Sequence, residues 1–306
     1  MRLTRIYTRE YQLLAKDFVK WLQQHNISEA TLYNHRNKVR DIFAFLESQE
    51  QVDTIKKLQP VHIYNYYQHL LERENKVIGG ALAANTINGI VLTIYQLLRY
   101  LRLTHGYTIT VKIPRLKEKK KTKDILTIKE ISCLLDSIDL SDDEGYRDRA
   151  VIGLIYGAGL RKGEVEGLKI DDVSFQDGIV HVRKGKGRKE RFVPITDKIL
   201  GYVHEYIIKY REFYQDMFTE STDHLFIEER GKPLLEWQLY KLLRHAIENS
   251  GIKSIQKKRI TLHSLRHSIA THLLQQGMEL EDIALFLGHE KLDTTMIYTH
   301  IQNGSV

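Results

Sequence analysis

The sequence predicts a mainly α-helical protein with a small β-sheet, arranged as a helical domain followed by a mixed α/β domain. Three observations carry this prediction. The 306 residues are enough for two domains, since domains commonly run roughly 100–200 residues. Apolar residues recur at helical spacing in the first third and again in the last third of the chain. Between these regions lie short strand-like segments with glycine-containing turns.

Residues 1–111 are predicted to form a compact four-helix domain. The segment TINGIVLTIYQLLRYLRL places its apolar residues at steps of three and four, the pattern of one buried helix face. The segment ATLYNHRNKVRDIFAFLES repeats this pattern. Two further helices are expected at roughly 8–24 and 60–75. The apolar stripe of the first segment consists of Ile87, Ile90, Val91, Ile94, Leu97, Leu98 and Leu101.

A basic linker, residues 112–126, is predicted to follow this domain. Pro114 interrupts a helix, and a run of like charges keeps the chain extended. Such a run can also lie along the phosphate backbone of a nucleic acid. The candidate contact residues are Lys117, Lys119, Lys120, Lys121 and Lys123.

Residues 127–306 are predicted to form the second domain. Thr127 and Glu130 have capping-box spacing, so a helix should begin near residue 128. The segment YRDRAVIGLIYGAG is expected to be a helix that ends at its glycines. The segment VSFQDGIVHVRKGKGRKERFVPI should supply two or three short strands, with turns at Asp177–Gly178 and Gly185–Gly187. Four more helices are expected in LEWQLYKLLRHAIEN, LHSLRHSIATHLLQQ, ELEDIALFLG and DTTMIYTHI.

The positive charge of the chain is concentrated in its first third. Residues 1–124 contain 21 Lys and Arg against 11 Asp and Glu, whereas the remainder contains 25 against 28. The whole excess of the formal +7 charge therefore lies in the first domain and linker. A basic domain favours a polyanionic partner, nucleic acid first. A solvated basic surface without a partner explains the charge about as well.

The composition also limits the cellular setting. Cys133 is the only cysteine, so the chain has no internal disulfide and no zinc site of the multi-thiolate kind. No apolar run reaches the ~18 residues of a membrane span, and the N-terminal segment lacks the apolar stretch of a secretory signal. We therefore expect a cytoplasmic protein without a membrane partner.

A histidine and an arginine share one helix turn in LHSLRHSIATHLL. His263 and Arg266 are three residues apart, so the helix is expected to present both on one side and bury the other. His263 and His267 have the four-residue spacing of a zinc helix, but Ser264 stands where that motif needs a glutamate. A hydrogen-bonded structural histidine is the alternative for His263. The opposite side carries Leu265, Ile269 and Leu273.

Two further cations follow glycines. Arg161 comes after a Gly-x-Gly-Leu break with Glu164 three residues later, so the acid can hold the guanidinium toward an anion. A surface Arg–Glu pair explains the same spacing. Lys186 lies between two glycines and can reach a phosphate or a leaving oxygen, although an exposed turn is the simpler interpretation. No P-loop motif occurs, which disfavours nucleotide hydrolysis.

Tyr298 completes a set of groups suited to phosphodiester chemistry. Two arginines can clamp the non-bridging oxygens of a phosphodiester, and a tyrosine can then act as the nucleophile. A free phenol has a pKa of about 10, so ionising it at pH 7 costs about 4 kcal/mol. A cationic pocket lowers that cost. His289, nine residues before Tyr298, is a further candidate for this pocket, and no metal or cofactor is required.

Four segments of the chain stand in the order GAGLRKGE, GKGRKERFVPI, HSLRHSIATHLL and LGHEKLDTTMIYTH. Together they strongly resemble the tyrosine recombinase (phage integrase) family and, within it, the short Xer-type recombinases. The resemblance extends from about residue 125 to residue 301. The preceding helical segment is similar to the core-binding domain of the family in size and character. The resemblance thus implies a two-domain architecture, with a helical core-binding domain and a mixed α/β catalytic domain.

The resemblance implies roles for the residues that hold the phosphate. Arg161 looks like the first catalytic arginine, and Glu164 looks like the acid that orients it. His263 and Arg266 look like the histidine–arginine pair beside the scissile phosphate. His289 looks like the second histidine, which hydrogen-bonds the phosphate.

The resemblance also implies the covalent step. Tyr298 looks like the nucleophile that forms a 3′-phosphotyrosyl link, and Lys186 looks like the general acid for the departing 5′ hydroxyl. The protein–DNA bond keeps the energy of the phosphodiester, so neither ATP nor metal is needed. Eight residues follow Tyr298. This tail is shorter than the C-terminal helix by which Xer-type proteins usually dock on a neighbouring subunit, so the sequence does not predict that docking.

The implied partner is double-stranded DNA. The family acts as a homo-tetramer on two duplexes through a Holliday junction, and the free protein is expected to be a monomer. A second recombinase or an accessory protein is a further candidate partner. Two alternatives stay open: a type IB topoisomerase, which shares the catalytic set, and a DNA-binding protein that has lost catalysis.

Overall fold

The computed structural model describes residues 5–25, 27–48, 52–75, 79–117, 124–183, 190–218 and 222–288. The chain divides into two compact units, Met1–Lys121 and Thr122–Val306. None of the helices in these described ranges is both long and apolar enough to cross a membrane. The predicted fold class, mainly α-helical with a small β-sheet, is confirmed.

The described part of the first unit is a bundle of four α-helices. Its apolar residues form one continuous core, and all seven residues of the predicted stripe are buried in it. The last helix ends at Gly106, which has a φ of 73° that glycine adopts without a steric penalty. The four helices are α1 (Arg9–Gln23), α2 (Glu29–Ser48), α3 (Pro60–Glu72) and α4 (Ala84–His105).

The core of this unit contains polar groups that are satisfied internally. The ring of Tyr11 stacks on Phe43 with centroids 4.8 Å apart, and its hydroxyl donates to the carbonyl oxygen of Val52 at 2.8 Å. His35 on α2 hydrogen-bonds Thr93 on α4, with Nδ1 3.0 Å from Oγ1. Each bond satisfies a buried polar atom that would be costly to leave without a partner. The His35–Thr93 bond also joins α2 to α4.

The second unit is mixed, as the sequence predicts. Its helices surround an apolar core, to which one face of the sheet also contributes. The predicted capping box is present: Thr127 Oγ1 accepts from the backbone N–H of Glu130, and Glu130 accepts from that of Thr127. The described helices are α5 (Ile128–Asp136), α6 (Asp143–Gly157), α7 (Lys162–Glu166), α8 (Asp197–Tyr206), α9 (Glu212–Asp216), α10 (Glu236–Asn249), α11 (Lys253–Gln256), α12 (Leu262–Gln275) and α13 (Leu280–Leu287).

A three-stranded antiparallel sheet lies within this unit. Its strands, β1 (Val173–Ser174), β2 (Ile179–Val182) and β3 (Arg191–Pro194), pair in the order β1-β2-β3. The predicted turn at Asp177–Gly178 joins β1 to β2, with Gly178 at φ 65°. The second predicted turn, Gly185–Gly187, lies outside the described residues.

Helix α12 is buried almost all round, which overturns the expected polar side of this helix. Polar side chains lie inward beside the apolar ones and find partners there. Ser268 Oγ accepts from the backbone N–H of Leu126 at 2.9 Å, and His272 Nδ1 hydrogen-bonds the hydroxyl of Tyr156 at 3.0 Å. The helix is therefore a central element that α6 and α13 both contact.

Candidate active site

Arg161 stands at the N-terminus of α7 and is held by its own helix. Its backbone N–H donates to Glu164 Oε2 and its Nη1 donates to Glu164 Oε1, both at 2.8 Å. The preceding Gly159 has a φ of 56°, which turns the chain sharply between α6 and α7. The three-residue spacing thus produces the predicted contact. It is not the surface pair of the alternative interpretation, because the Glu164 side chain is only 2% exposed.

Glu164 is shared between two arginines. Arg191, the first residue of β3, donates from Nη1 to Oε1 at 2.9 Å and from Nη2 to Oε2 at 2.8 Å. Burial is the largest single influence and raises the pKa of Glu164. The hydrogen bonds and charge of Arg191, together with the hydrogen bonds from Arg161, outweigh it, so the pKa lies below its usual value. The carboxylate is therefore a stable anion between two guanidinium groups.

Arg266 lies in the middle of α12 and is 2% exposed. Its guanidinium donates to the carbonyl oxygens of Gly159 and Leu287. His263, one turn earlier, is exposed, and its ring lies edge-on to His267 with centroids 4.4 Å apart. The two residues of the predicted His–Arg pair therefore differ in setting: the arginine is inside and the histidine is at the surface.

The C-terminal turn of α13 joins these arginines. Three successive carbonyl oxygens accept from three different guanidinium groups: Phe286 from Arg191 at 3.0 Å, Leu287 from Arg266, and Gly288 from Arg161 at 2.8 Å. The last carbonyls of a helix have no partner within the helix and carry its negative dipole end, so cations stabilise them.

The resulting cluster contains three guanidinium groups and one carboxylate. Its members come from α7, β3 and α12, and α13 supplies the carbonyls that bind them. Arg161 is the most exposed of the three arginines, with 25% of its side-chain surface exposed. An arginine oriented in this way can donate two parallel hydrogen bonds to a phosphate or a carboxylate.

A model of the phage integrase family matches residues 124–304, more than half of the chain. Tyrosine recombinase XerD of Staphylococcus haemolyticus is 31% identical over 301 residues, which span 96% of each protein. The chain belongs to the phage integrase family. It is a Xer-type tyrosine recombinase, a site-specific DNA strand transferase. Neither a topoisomerase nor a silent DNA-binding protein is favoured by these matches.

Solved recombinase structures share the fold of this recombinase. The structure of XerH bound to a palindromic difH substrate, a post-cleavage complex, aligns with a TM-score of 0.72 over 98% of this chain and 95% of that one, at 20% identity. A lambda integrase (75–356) dimer bound to a COC′ core site aligns with a TM-score of 0.64 over 92% and 95%, at 18% identity. At these identities the likeness concerns the fold.

The described residues include five of the predicted site residues of the recombinase. Arg161 and Arg266 each make contacts within residues 287–288 and 159–164, Glu164 contacts Arg161, and His263 lies at the surface of α12. Lys117, in the predicted linker, is exposed. Seven further candidates lie outside the described residues and stay predictions: Lys119, Lys120, Lys121, Lys123, Lys186, His289 and Tyr298.

Sequence reasoning missed Arg191. The strand RFVP alternates between inward and outward positions, with Arg191 and Val193 buried and Phe192 65% exposed. The signal was available, because a strand assignment that buries Val193 also buries Arg191. A buried arginine needs an anionic or carbonyl partner, so this position predicts a contact with the acid of the site.

The zinc-like spacing of His263 and His267 has no third ligand in the part of the chain that the structure describes. Among those residues, no group of three or more His, Cys, Asp or Glu side chains is placed to hold a metal ion.

Proposed function

We propose that this recombinase cleaves and rejoins double-stranded DNA at a specific site, through a 3′-phosphotyrosyl link to Tyr298 and a Holliday junction. The observation that carries the proposal is the placement of Arg161 and Arg266. They are 105 positions apart in the sequence, yet they donate to the adjacent carbonyl oxygens of Gly288 and Leu287. Two guanidinium groups side by side suit the non-bridging oxygens of one phosphate.

In this mechanism the arginines stabilise the negative charge on the non-bridging oxygens of the phosphate in the transition state. The Tyr298 oxygen attacks the phosphorus, the bond to the 5′ oxygen breaks, and Lys186 gives a proton to that oxygen. His263 and His289 hydrogen-bond the phosphate. In the reverse step a 5′ hydroxyl gives its proton to Lys186 and attacks the phosphorus, and the bond between the phosphorus and the Tyr298 oxygen breaks. Glu164 acts on Arg161, because its buried carboxylate accepts one hydrogen bond from the backbone N–H of Arg161 and one from the Nη1 of its guanidinium.

The same proposal assigns parts of the chain to DNA. Residues 1–111 form the core-binding domain, residues 112–126 form the linker, and residues 127–306 form the catalytic domain. The excess of basic over acidic residues in 1–124 supports this assignment. The solved XerH and lambda integrase neighbours are bound to DNA, which also supports it. The protein would act in the cytoplasm as a tetramer on DNA, with a second recombinase or accessory protein as a further partner.

A nicked suicide substrate tests the proposal. Cleavage next to the nick releases a short fragment that diffuses away, so the covalent protein–DNA adduct accumulates. The wild-type protein should form this adduct, and Tyr298→Phe should form none. Tyr214→Phe, which removes a hydroxyl elsewhere in the same unit, is the matched control and should retain full adduct formation. An adduct that persists in Tyr298→Phe shows that another residue is the nucleophile.

A further inference from the structure

Arg191 is a buried arginine at the edge of the cluster, and the proposed mechanism does not use it. It begins β3, and its side chain is only 7% exposed. It donates three hydrogen bonds: two to the oxygens of Glu164 and one, from Nε, to the carbonyl oxygen of Phe286 at 3.0 Å. Nε and both terminal nitrogens therefore each donate to an acceptor.

The partners of Arg191 are those that place Arg161. Glu164 Oε1 accepts from both arginines, at 2.9 Å from Arg191 and at 2.8 Å from Arg161. Without Arg191, this oxygen loses one of the two cations that hold it. The carboxylate keeps its two hydrogen bonds from Arg161 but loses its connection to β3, so the Glu164–Arg161 pair can shift together.

Arg191 also packs on the end of α13. A β-carbon added to Gly288 would lie 2.9 Å from Arg191 Nη1 and 3.2 Å from its Cδ, so the arginine fills the space that glycine leaves. The carbonyl oxygen of Gly288 accepts from Arg161. Arg191 thus fixes Arg161 from two sides, through Glu164 and through the terminal turn of α13.

We infer that Arg191 is a positioning residue for strand transfer, which holds Glu164 and the end of α13 so that Arg161 faces the scissile phosphate. The inference rests on the proposed function. A lysine cannot replace Arg191, because a single ammonium does not reproduce the planar fork that meets Glu164 and Phe286 together.

Single-turnover cleavage of the suicide substrate tests this inference. Arg191→Met and Arg191→Lys should cleave roughly 10²-fold more slowly, because displacing Arg161 removes one well-placed donor to the developing charge. Their affinity for uncleaved DNA should stay close to that of the wild type. Arg211→Met is the matched control, because Arg211 is also buried and, among the described residues, donates to the carbonyls of residues 222, 224 and 225, away from the cluster. It should lower thermal stability but leave the cleavage rate of the folded protein unchanged.

The pH profile separates positioning from a loss of packing. Glu164 keeps its charge at low pH because of Arg191 and Arg161. In Arg191→Met the carboxyl takes up a proton at a higher pH and ceases to hold Arg161. The acid limb of the cleavage profile should therefore move to higher pH in Arg191→Met and not in Arg211→Met. In a double-mutant cycle, Glu164→Gln and Arg191→Met should be strongly non-additive.

The outcomes distinguish the two claims. If the wild type forms no adduct, the proposed function fails before Arg191 is tested. If the wild type forms the adduct and Arg191→Met cleaves at the same rate, or shows additive losses and an unmoved acid limb, the inference is overturned. If Arg191→Met does not fold, Arg191→Lys decides: a wild-type rate and profile overturn the inference, and a slow rate with a shifted acid limb supports it.

Discussion

The guanidinium of Arg161 and the carbonyl oxygen of Gly288 form a hydrogen bond of 2.8 Å across 127 residues of sequence. Gly288 ends α13 in the left-handed conformation, with a φ of 63°. This conformation directs the carbonyl away from the helix axis and toward α7. The last turn of α13 therefore helps to orient Arg161, the proposed phosphate-binding arginine.

Gly288→Ala should damage both the site and the fold. A left-handed residue other than glycine costs roughly 1–2 kcal/mol, and the added β-carbon would lie 2.9 Å from Arg191 Nη1. We expect a cleavage rate at least about tenfold lower together with a lower melting temperature. Gly106→Ala is the control, because Gly106 has a φ of 73° and a β-carbon added there would meet nothing within 4 Å. It should lose stability alone. Unchanged cleavage in Gly288→Ala would show that this turn does not orient Arg161.

Thr127→Ala should destabilise the second unit by about 1 kcal/mol, because α5 loses the acceptor for the backbone N–H of Glu130. Urea unfolding measures the difference. Thr196 is a matched control, since it stands at the same position before α8 but makes no capping hydrogen bond through its side chain. Thr196→Ala should change the free energy of unfolding by much less. Equal losses in both variants would refute a specific role for the cap.

His272 should make the folded state sensitive to acid. Burial lowers the pKa of His272, and this effect outweighs a backbone hydrogen bond at Leu126 that acts the other way. The unfolded chain therefore binds a proton more readily than the folded one. The stability that depends on the neutral form of His272 is fully present above the pKa of this residue in the unfolded chain, about 6.5. It is lost as the pH falls from there toward the lower pKa of His272 in the folded protein. Each pH unit in that window changes the free energy of unfolding by about 1.4 kcal/mol.

Melting temperatures between pH 8 and pH 5 check this prediction. His272→Gln, which keeps a polar group toward Tyr156, should show a smaller fall than the wild type. His245→Gln alters an exposed histidine of the same unit and should follow the wild-type curve. If all three curves are parallel, His272 does not control the acid response.

Replacing Lys119, Lys120 and Lys121 by alanine should weaken the salt dependence of DNA binding. Each lysine that neutralises a phosphate contributes a slope of about one in a plot of log affinity against log salt. We expect a slope shallower by up to about three, with an unchanged sequence preference. The triple Lys→Arg variant keeps the charges and should keep the wild-type slope. An unchanged slope in the alanine variant would place this run away from the DNA.

The sequence predicted the contacts that depend on short spacing. Arg161 and Glu164 are three residues apart at the start of a helix, so their hydrogen bond follows from local geometry. The capping box at Thr127 and the turn at Gly178 are local in the same sense. The first-unit helices followed from apolar periodicity, because each presents one stripe to a shared core.

The contacts that assemble the site could not be predicted in this way. Arg266 reaches Gly159, and Arg191 reaches Glu164, across stretches of sequence whose packing no periodicity encodes. The burial of α12 was mispredicted for a related reason. Its serine, threonine and histidine side chains suggest a solvent-facing side, but Ser268 and His272 find buried partners on other elements. Polarity indicates exposure only where no such partner is available.

The three carbonyls at the end of α13 also determine when, during synthesis of the chain, the arginine cluster can be completed. A ribosome makes the protein from the N-terminus, so Arg161, Arg191 and Arg266 exist before the turn that they bind. Until residue 288 has emerged, the guanidinium groups lack three of their acceptors and retain those at Glu164 and Gly159. A nascent chain can therefore carry every arginine of the cluster before the carbonyls that orient them are present.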